Sequence, residues 1–193
     1  MSAGFLAEAQ AEVRRAYLGG SVGQVYAGGV WLSSAAAWSL VAPTPGIVVL
    51  LFAGALVYPV TSGVSRLLGG AGRIPDTNPL RPVRLTVPIV GALGLPAALG
   101  ATLYREDWFF PAMMIVMGAH YLPFWPLYGR WGFVALGLGM WGSGLVVALW
   151  LPGLAAAAGA LTGLALLAYG ALLGWQHSRT THTHHANRMT DAE

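Results

Sequence analysis

The chain has 193 residues, of which 56% are hydrophobic and only 9% are charged, whereas roughly a quarter of the residues in a soluble domain are charged. So few polar residues cannot cover the surface of a water-soluble protein. The formal charge of +3 comes from ten scattered arginines and no lysine, without the clustering of a nucleic-acid-binding surface, and the absence of cysteine excludes disulfides and thiolate metal sites.

Residues 1–19 are predicted to form a short interfacial amphipathic helix. Phe5, Leu6, Ala9, Val13 and Tyr17 recur every three or four residues, and acidic and basic side chains occupy another face. Such a helix can lie along a membrane surface. Because this segment holds acids as well as bases and the apolar stretch after it is long, a cleaved signal peptide is not expected.

Six apolar stretches follow, each about as long as the roughly 20 residues that a helix needs to cross a bilayer. They cover residues 20–42, 46–65, 83–104, 108–128, 131–151 and 154–176. Strands of a membrane barrel would alternate apolar and polar residues, and runs such as Ile47–Val57 do not. The sequence therefore predicts an all-α membrane protein with a six-helix transmembrane domain over residues 20–176, in contact with the lipid bilayer.

The arginines indicate the orientation of this bundle. Nine of the ten lie before the first span, around the connection after the second, after the fourth, or after the sixth, and Arg105 alone lies on the other side. Cytoplasmic segments carry the excess of arginine and lysine. Both termini are therefore predicted to be cytoplasmic, with residues 177–193 as a disordered polar tail.

One group of polar side chains inside the spans suggests a ligand site. His120 is the one ionisable residue, tyrosines aside, that falls well inside a span, and such groups are costly in a bilayer and are functional candidates by default. Tyr58 and Tyr121 are expected at a comparable depth, in the half of the membrane nearer the cytoplasm. The candidates closer to that face are Gln24, Thr61, Thr86 and Gln176. The alternative is that all of these are polar groups hydrogen-bonded between helices.

Prolines are concentrated in the same region. Pro59 follows Tyr58, Pro123 and Pro126 follow Tyr121, and the third span contains two more. A proline inside a helix frees a backbone carbonyl and kinks the helix, and broken helices at membrane depth line the binding sites of transporters. The pattern favours a cavity that faces the cytoplasm.

Two glycine patterns are interpreted as helix packing. The segment Gly137-Leu-Gly139-Met-Trp-Gly142 matches the dinucleotide fingerprint, but it has neither the preceding strand nor the following acidic residue that the fingerprint needs. In the last span, one face carries small residues that let two backbones approach closely. These are Gly159, Gly163, Gly170 and Gly174, and the interface is expected within the bundle or in a homo-oligomer.

No catalytic constellation is visible. The spans hold no Asp or Glu, and the motifs HExxH and GxSxG do not occur, so the protein is not expected to be an enzyme and no cofactor is predicted. The tail contains His177, His182, His184 and His185. A defined metal site needs fixed geometry and supporting hydrogen bonds, so no metal site is predicted there.

Several motifs together resemble an uncharacterised family of small bacterial multi-pass membrane proteins, over residues 10 to about 150. They are Arg14-Arg-Ala-Tyr-Leu-Gly-Gly, Asn78-Pro-Leu, Trp108-Phe-Phe-Pro-Ala-Met, Gly118-Ala-His-Tyr-Leu-Pro-Phe and Leu127-Tyr-Gly. The resemblance implies a location in the bacterial cytoplasmic (inner) membrane and no particular activity.

Two functions remain open from the sequence. In the first, the protein binds or transports a small neutral or aromatic solute, or a lipid, in a cavity around Tyr58, His120 and Tyr121. In the second, it is a non-catalytic partner or scaffold subunit that acts through helix packing or through the loop at residues 69–82. A polar cavity favours the first, and a dry core with fully paired polar groups favours the second.

Overall fold

A computed structural model of the chain describes the backbone of residues 3–190 and the side chains of residues 4–179. Every regular element in that part of the chain is helical, which confirms the predicted all-α architecture. The α-helices are α1 (Ala3–Ala16), α2 (Ser21–Leu40), α3 (Pro43–Ala55), α4 (Val57–Leu67), α5 (Arg81–Tyr104), α6 (Phe109–Tyr121), α7 (Phe124–Tyr128), α8 (Gly132–Trp150) and α9 (Ala155–Thr190).

Three helical segments of the described residues are long and apolar enough to cross a membrane. They are Arg81–Tyr104, Gly132–Trp150 and Pro152–Arg179, which correspond to the predicted third, fifth and sixth spans. A fourth is added if α3 and α4 count as one span, since the two helices together pass the same test but are bent by 53° around Leu56. The structure thus supports three or four spanning segments, compatible with a membrane protein.

The other two predicted spans do not meet this requirement. Helix α2 contains Gln24 and several serines and glycines, which lower its mean hydropathy. Residues 108–128 do not form one helix: α6 has 13 residues and α7 has 5. The interruption falls where Pro123 and Pro126 lack the amide hydrogens that would continue the helical hydrogen bonds.

The outward surface of the bundle is apolar. On α5, Leu93 is 75% exposed and Leu103 is 90% exposed, and Trp150 at the end of α8 is 69% exposed. Soluble monomers rarely present large contiguous apolar patches to water. Contact with lipid removes that cost, so the surface agrees with a location in a membrane.

Pairs of glycines bring the central helices together. A Cβ on Gly28 of α2 would lie 2.7 Å from the carbonyl oxygen of Gly163 on α9, and a Cβ on Gly163 would lie 2.9 Å from the carbonyl oxygen of Gly28. Gly118 of α6 and Gly137 of α8 approach each other in the same way, with 2.6 Å in both directions. At these two crossings backbone packs on backbone.

The other glycines predicted to pack on α9 also face neighbours within the chain. A Cβ on Gly159 would collide with the ring of Phe110 on α6, and one on Gly170 would collide with Val25 on α2. Gly174 has more room, because the nearest atom to its hypothetical Cβ belongs to Ser21 at 3.6 Å. This face of α9 is therefore occupied by α2 and α6.

Helix α1 is docked on the bundle. Val13 is fully buried, the side-chain amide of Gln10 donates to the carbonyl of Pro126 at 2.9 Å, and Nη1 of Arg14 donates to the carbonyl of Tyr128 at 2.7 Å. Burial, followed by the proximity of Arg130, lowers the pKa of Arg14. The apolar face of α1 thus packs against protein, and its position on a membrane surface stays a prediction.

The loop between α4 and α5 is fastened to α1. Nδ2 of buried Asn78 donates to the carbonyl of Ala9 at 3.1 Å and to Oε2 of Glu12 at 2.5 Å, and the amide of Gly72 donates to the carbonyl of Ala16 at 2.9 Å. Asn78 and Gly72 of the predicted partner-binding loop at residues 69–82 are therefore engaged within the chain, while many other residues of the loop are exposed.

Helix α9 continues past Gln176, so the start of the predicted tail at residue 177 is not marked by a change in the backbone. The guanidinium of Arg179 lies 3.8 Å from the ring centroid of Trp175. The side chains from residue 180 onward, including His182, His184 and His185, and all of residues 191–193 lie outside the described residues. A disordered tail stays a prediction.

Candidate functional site

A cavity of about 370 Å³ lies between α2, α3, α4, α5, α6 and α7. Its size is at the lower end of the range for small-molecule sites, roughly 300–1,000 Å³. Most of its lining is apolar, and on each helix the polar lining residues lie toward the same end of the cavity. Along α2, Gln24 precedes Val30, and along α5, Arg84 precedes Leu95. The cavity thus has an apolar section and a polar end near the arginine-rich side of the bundle.

Five of the seven predicted ligand-binding residues line this cavity, namely Gln24, Tyr58, Thr61, His120 and Tyr121. Thr86 and Gln176 do not. Thr86 is exposed on α5, and its hydroxyl donates to the carbonyl of Val83 at 2.7 Å. Two residues along a helix correspond to a rotation of about 200°, so Thr86 points away from the side of α5 on which Arg84 and Val87 line the cavity.

Two hydrogen bonds join helices at the polar end. Oη of Tyr58 on α4 and Nε2 of His120 on α6 are 3.3 Å apart. Oη of Tyr121 on α6 donates to Oε1 of Gln24 on α2 at 2.9 Å, and both of these side chains are buried. The predicted candidates are therefore partly connected to one another, as the alternative interpretation of buried polar pairs requires.

Other buried polar atoms at the cavity have no hydrogen-bond partner in the described part of the chain. They include Nδ1 of His120 and Oγ1 of Thr61. Nδ1 points toward the carbonyl of Val87 without reaching hydrogen-bond geometry, and it lies 3.0 Å from where a Cβ on Gly91 would be. A buried polar atom left unpaired costs about 1–3 kcal/mol. Each of these atoms is a place where a ligand or water would gain a hydrogen bond.

Sequence reasoning missed Arg84 and Tyr17 as cavity residues. Nε of Arg84 donates to Oη of Tyr17 at 2.7 Å, and the guanidinium carbon is 5.4 Å from the centroid of the Tyr17 ring. From the sequence, Arg84 indicates only the orientation of the bundle, and Tyr17 belongs to the apolar face of the first helix. The available signal was the position of Arg84 just inside the predicted third span, because a charge within a span is a functional candidate.

Stacked aromatic rings form the wall of the cavity beside His120. The Phe124 ring lies 5.5 Å from the His120 ring and 5.3 Å from the Phe133 ring, measured between centroids. Tyr128 stacks on Phe124 at 6.0 Å. These contacts hold α7 against α6 and α8, so the histidine is fixed in position although the helix that carries it ends one residue later.

The described residues contain no group of three His, Asp or Glu side chains arranged to hold a metal ion.

No curated protein and no solved structure is significantly similar to this chain. A model for a family of unknown function, DUF7010, matches residues 6–177, which is most of the sequence. The expectation of an uncharacterised family is confirmed: the chain belongs to the family of unknown function DUF7010.

Proposed function

We propose that this protein binds a small apolar or amphipathic molecule, such as a lipid or an aromatic solute, in the cavity between its membrane helices. The observation that carries the proposal is the meeting of Tyr58, His120 and Thr61, from two separate helices, at one cavity in which buried polar atoms lack partners. A mostly apolar pocket with a few convergent polar groups is the usual form of a small-molecule site.

The proposed setting is a bacterial inner membrane crossed six times, with both termini in the cytoplasm. Helix α2 serves as the first span. Its 20 residues extend about 30 Å, the thickness of the hydrocarbon core. It packs against α9, α3 and α4, and a helix surrounded by protein needs less hydropathy than one facing lipid. The broken segment of α6 and α7 serves as the fourth span, and the nine-to-one arginine distribution supports the orientation.

Broken helices also support a role in which the bound molecule moves. Gly54, Ala55, Val57 and Tyr58 flank the 53° bend between α3 and α4, and all four line the cavity. Non-helical backbone at membrane depth is tolerated where it lines a cavity, and it is common at the binding sites of transporters. The same site therefore suits binding or transport.

The alternative role as a partner or scaffold subunit has less support. Its two predicted contact surfaces are the glycine face of α9 and the loop at residues 69–82. The first packs on α2 and α6, and the second is fastened to α1 through Asn78. A ligand-binding role does not depend on either of these two surfaces.

The test compares the molecules that copurify with three forms of the full chain. Ala92 lines the cavity, whereas its neighbour Leu93 is 75% exposed on the outside of α5. Ala92→Phe adds an aromatic ring at the exposed edge of the cavity, and Leu93→Phe is the matched control. After purification in detergent, small molecules are released with organic solvent and quantified per mole of protein by mass spectrometry.

The proposal expects one or more compounds in the wild type and in Leu93→Phe, reduced several-fold in Ala92→Phe. Equal recovery from all three forms, at equal folded yield, would overturn it.

A further inference from the structure

We infer that the ligand is an anionic single-chain amphiphile, with its carboxylate or phosphate on Arg84 and its acyl chain in the apolar section of the cavity, admitted from the bilayer between α4 and α5. The inference rests on the proposed function and names the ligand class for the same cavity. Its three supports are the charge at one end, the length of the apolar section and the position of the opening.

The first support is the state of Arg84. The salt bridges of the described residues involve Arg81 and Arg105, and none involves Arg84. Nε of Arg84 is used by Tyr17, which leaves the two terminal nitrogens of the guanidinium side by side. A carboxylate or phosphate is bound by such a pair of parallel N–H groups.

Groups around Arg84 complete an anion site. Because the Tyr17 hydroxyl accepts from Arg84, its own hydrogen remains free to donate to the same anion. The hydroxyls of Tyr58 and Tyr128 are close enough to Arg84 to interact with it electrostatically. Neutral hydroxyls beside a lone guanidinium stabilise an added negative charge, and a cation would be repelled by Arg84.

The second support is the length of the apolar section. The cavity follows α5 from Arg84 to Leu95, eleven residues or about 16 Å at the helical rise. That is close to half of the roughly 30 Å hydrocarbon core, the depth that one acyl chain of a single leaflet occupies. Beyond the polar end, the chain would contact Val30, Trp31, Leu50, Leu51, Met113 and Met117.

The third support is the place where the cavity reaches the surface. Helix α5 packs against α6 and α7, and in the described part of the chain it makes no extensive contact with α3 or α4. Two cavity-lining residues, Ala55 and Ala92, are exposed on opposite sides of this gap. Both lie near the middle of their predicted spans, so the opening faces the hydrocarbon region.

The end of the cavity that was predicted to open toward the cytoplasm is covered in part by Tyr17. Tyr17 lines the cavity there, is only 5% exposed, and follows directly on the docked helix α1. A water-soluble solute would have to pass the Arg84–Tyr17 pair. An amphiphile already in the inner leaflet can slide its chain through the gap while its head group stays at the level of Arg84.

The experiment measures binding of two matched probes to the purified full chain in detergent. The probes are dodecanoic acid dibrominated in mid-chain and its uncharged methyl ester, whose bromines quench tryptophan fluorescence when the chain lies near Trp31. Unbrominated lauroyl lysophosphatidic acid and lauroyl lysophosphatidylcholine are added as competitors. If lysophosphatidic acid displaces the brominated acid and lysophosphatidylcholine does not, an anionic phosphate head group binds in the same way as the carboxylate.

Two variants distinguish the effect of the positive charge at Arg84 from a general effect of the protein's positive charge. Arg84→Gln removes the cation of the site, and Arg81→Gln removes a neighbouring cation that is paired with Asp76 outside the cavity. Because a hydrogen bond to a charged group contributes more than a neutral one, Arg84→Gln is expected to weaken the acid about ten-fold to a hundred-fold. The ester should bind both variants as it binds the wild type, and Arg81→Gln should leave the acid unchanged.

The outcomes distinguish this inference from the proposed function. If acid and ester bind equally well to the wild type and to Arg84→Gln, but Ala92→Phe weakens both, the cavity binds apolar chains and the anionic class is wrong. If Ala92→Phe and Leu93→Phe bind both probes like the wild type, the cavity is not the site and the proposed function fails with it. Preference for the acid lost in Arg84→Gln but not in Arg81→Gln supports the inference.

Discussion

Replacing His120 with Phe is expected to stabilise the protein, although it removes a hydrogen bond. The bond between Nε2 and Tyr58 is long, at 3.3 Å, and interhelical hydrogen bonds in membranes average about 0.6 kcal/mol. Nδ1 is buried and makes no hydrogen bond of good geometry in the described part of the chain, with the backbone of Val87 as its neighbour, and a buried polar atom in this state costs up to about 1–3 kcal/mol. The hydroxyl of Tyr58 loses its partner as well, but it lines the cavity, where water can take the place of the imidazole. The free energy of unfolding should therefore rise by up to about 2 kcal/mol.

Tyr58→Phe is the matched variant, and its effect should have the opposite sign. It removes the hydroxyl and leaves Nε2 of His120 unpaired beside the unpaired Nδ1, so stability should fall by about 1 kcal/mol. The double variant should resemble His120→Phe, because the Tyr58 hydroxyl has no hydrogen-bond partner once the imidazole is removed. Two residues in contact are expected to be non-additive in this way.

The assay is thermal unfolding in detergent, followed by tryptophan fluorescence. For a chain of this size, 1 kcal/mol shifts the Tm by about 2–4 °C, so both changes are measurable. His120→Phe should also retain less of the copurifying molecule, since it removes both ring nitrogens from the site. A clear loss of stability in both single variants would refute the reasoning, because it would mean that Nδ1 is satisfied and that the histidine is a structural contact.

Three further predictions concern topology, the tail and the glycine crossing. Reporter fusions after Gly70, Arg130 and Glu193 should report the cytoplasm, and fusions after Pro43, Glu106 and Pro152 should report the outside. A periplasmic signal from the fusion after Glu193 would exclude an even number of spans. Deleting residues 180–193 should leave the folded yield and Tm in detergent nearly unchanged, because this polar segment has little to bury; a marked loss would show that it docks. Gly28→Ala should destabilise by about 1–3 kcal/mol through overpacking, whereas Gly29→Ala, with nothing within 4 Å of the added Cβ, should be neutral or stabilising; equal Tm values for the two would contradict the backbone contact with Gly163.

The helices were predictable from the sequence because their apolar runs are long, but the breaks within them were predictable only in part. Pro59 lacks the amide that would bond to the carbonyl of Ala55, one turn earlier, so the helix is interrupted around Leu56. The sequence shows where such a proline lies, but it does not give the angle of the bend. The predicted number of spans exceeds the three or four that helix length and hydropathy support, because polar residues lower the mean hydropathy of α2 and because α6 and α7 are separate short helices.

The candidate site shows the same division. Burial cost alone identified His120 and Tyr58, because an ionisable or hydroxyl group inside a span needs a partner or a cavity. The position of Thr86 could not be inferred in this way. Helix α5 is apolar on most sides and has no strong amphipathic pattern, so spacing does not reveal which side faces inward. Only the packing of α5 on α6 separates Arg84, at the cavity, from Thr86, on the outside.

The break between α3 and α4 and the cavity have one physical origin. Where α3 turns into α4, the cavity-lining residues Gly54, Ala55 and Val57 have small side chains, and among the described residues neither helix makes extensive contact with α5. A straight helix packed directly on α5 would close this space, as α6 and α8 do where Gly118 and Gly137 bring their backbones together. Tyr17, next to the docked helix α1, meanwhile covers part of the arginine-rich end. Because the bend leaves a gap toward lipid and α1 narrows the path to water, the arrangement favours a ligand that approaches through the bilayer.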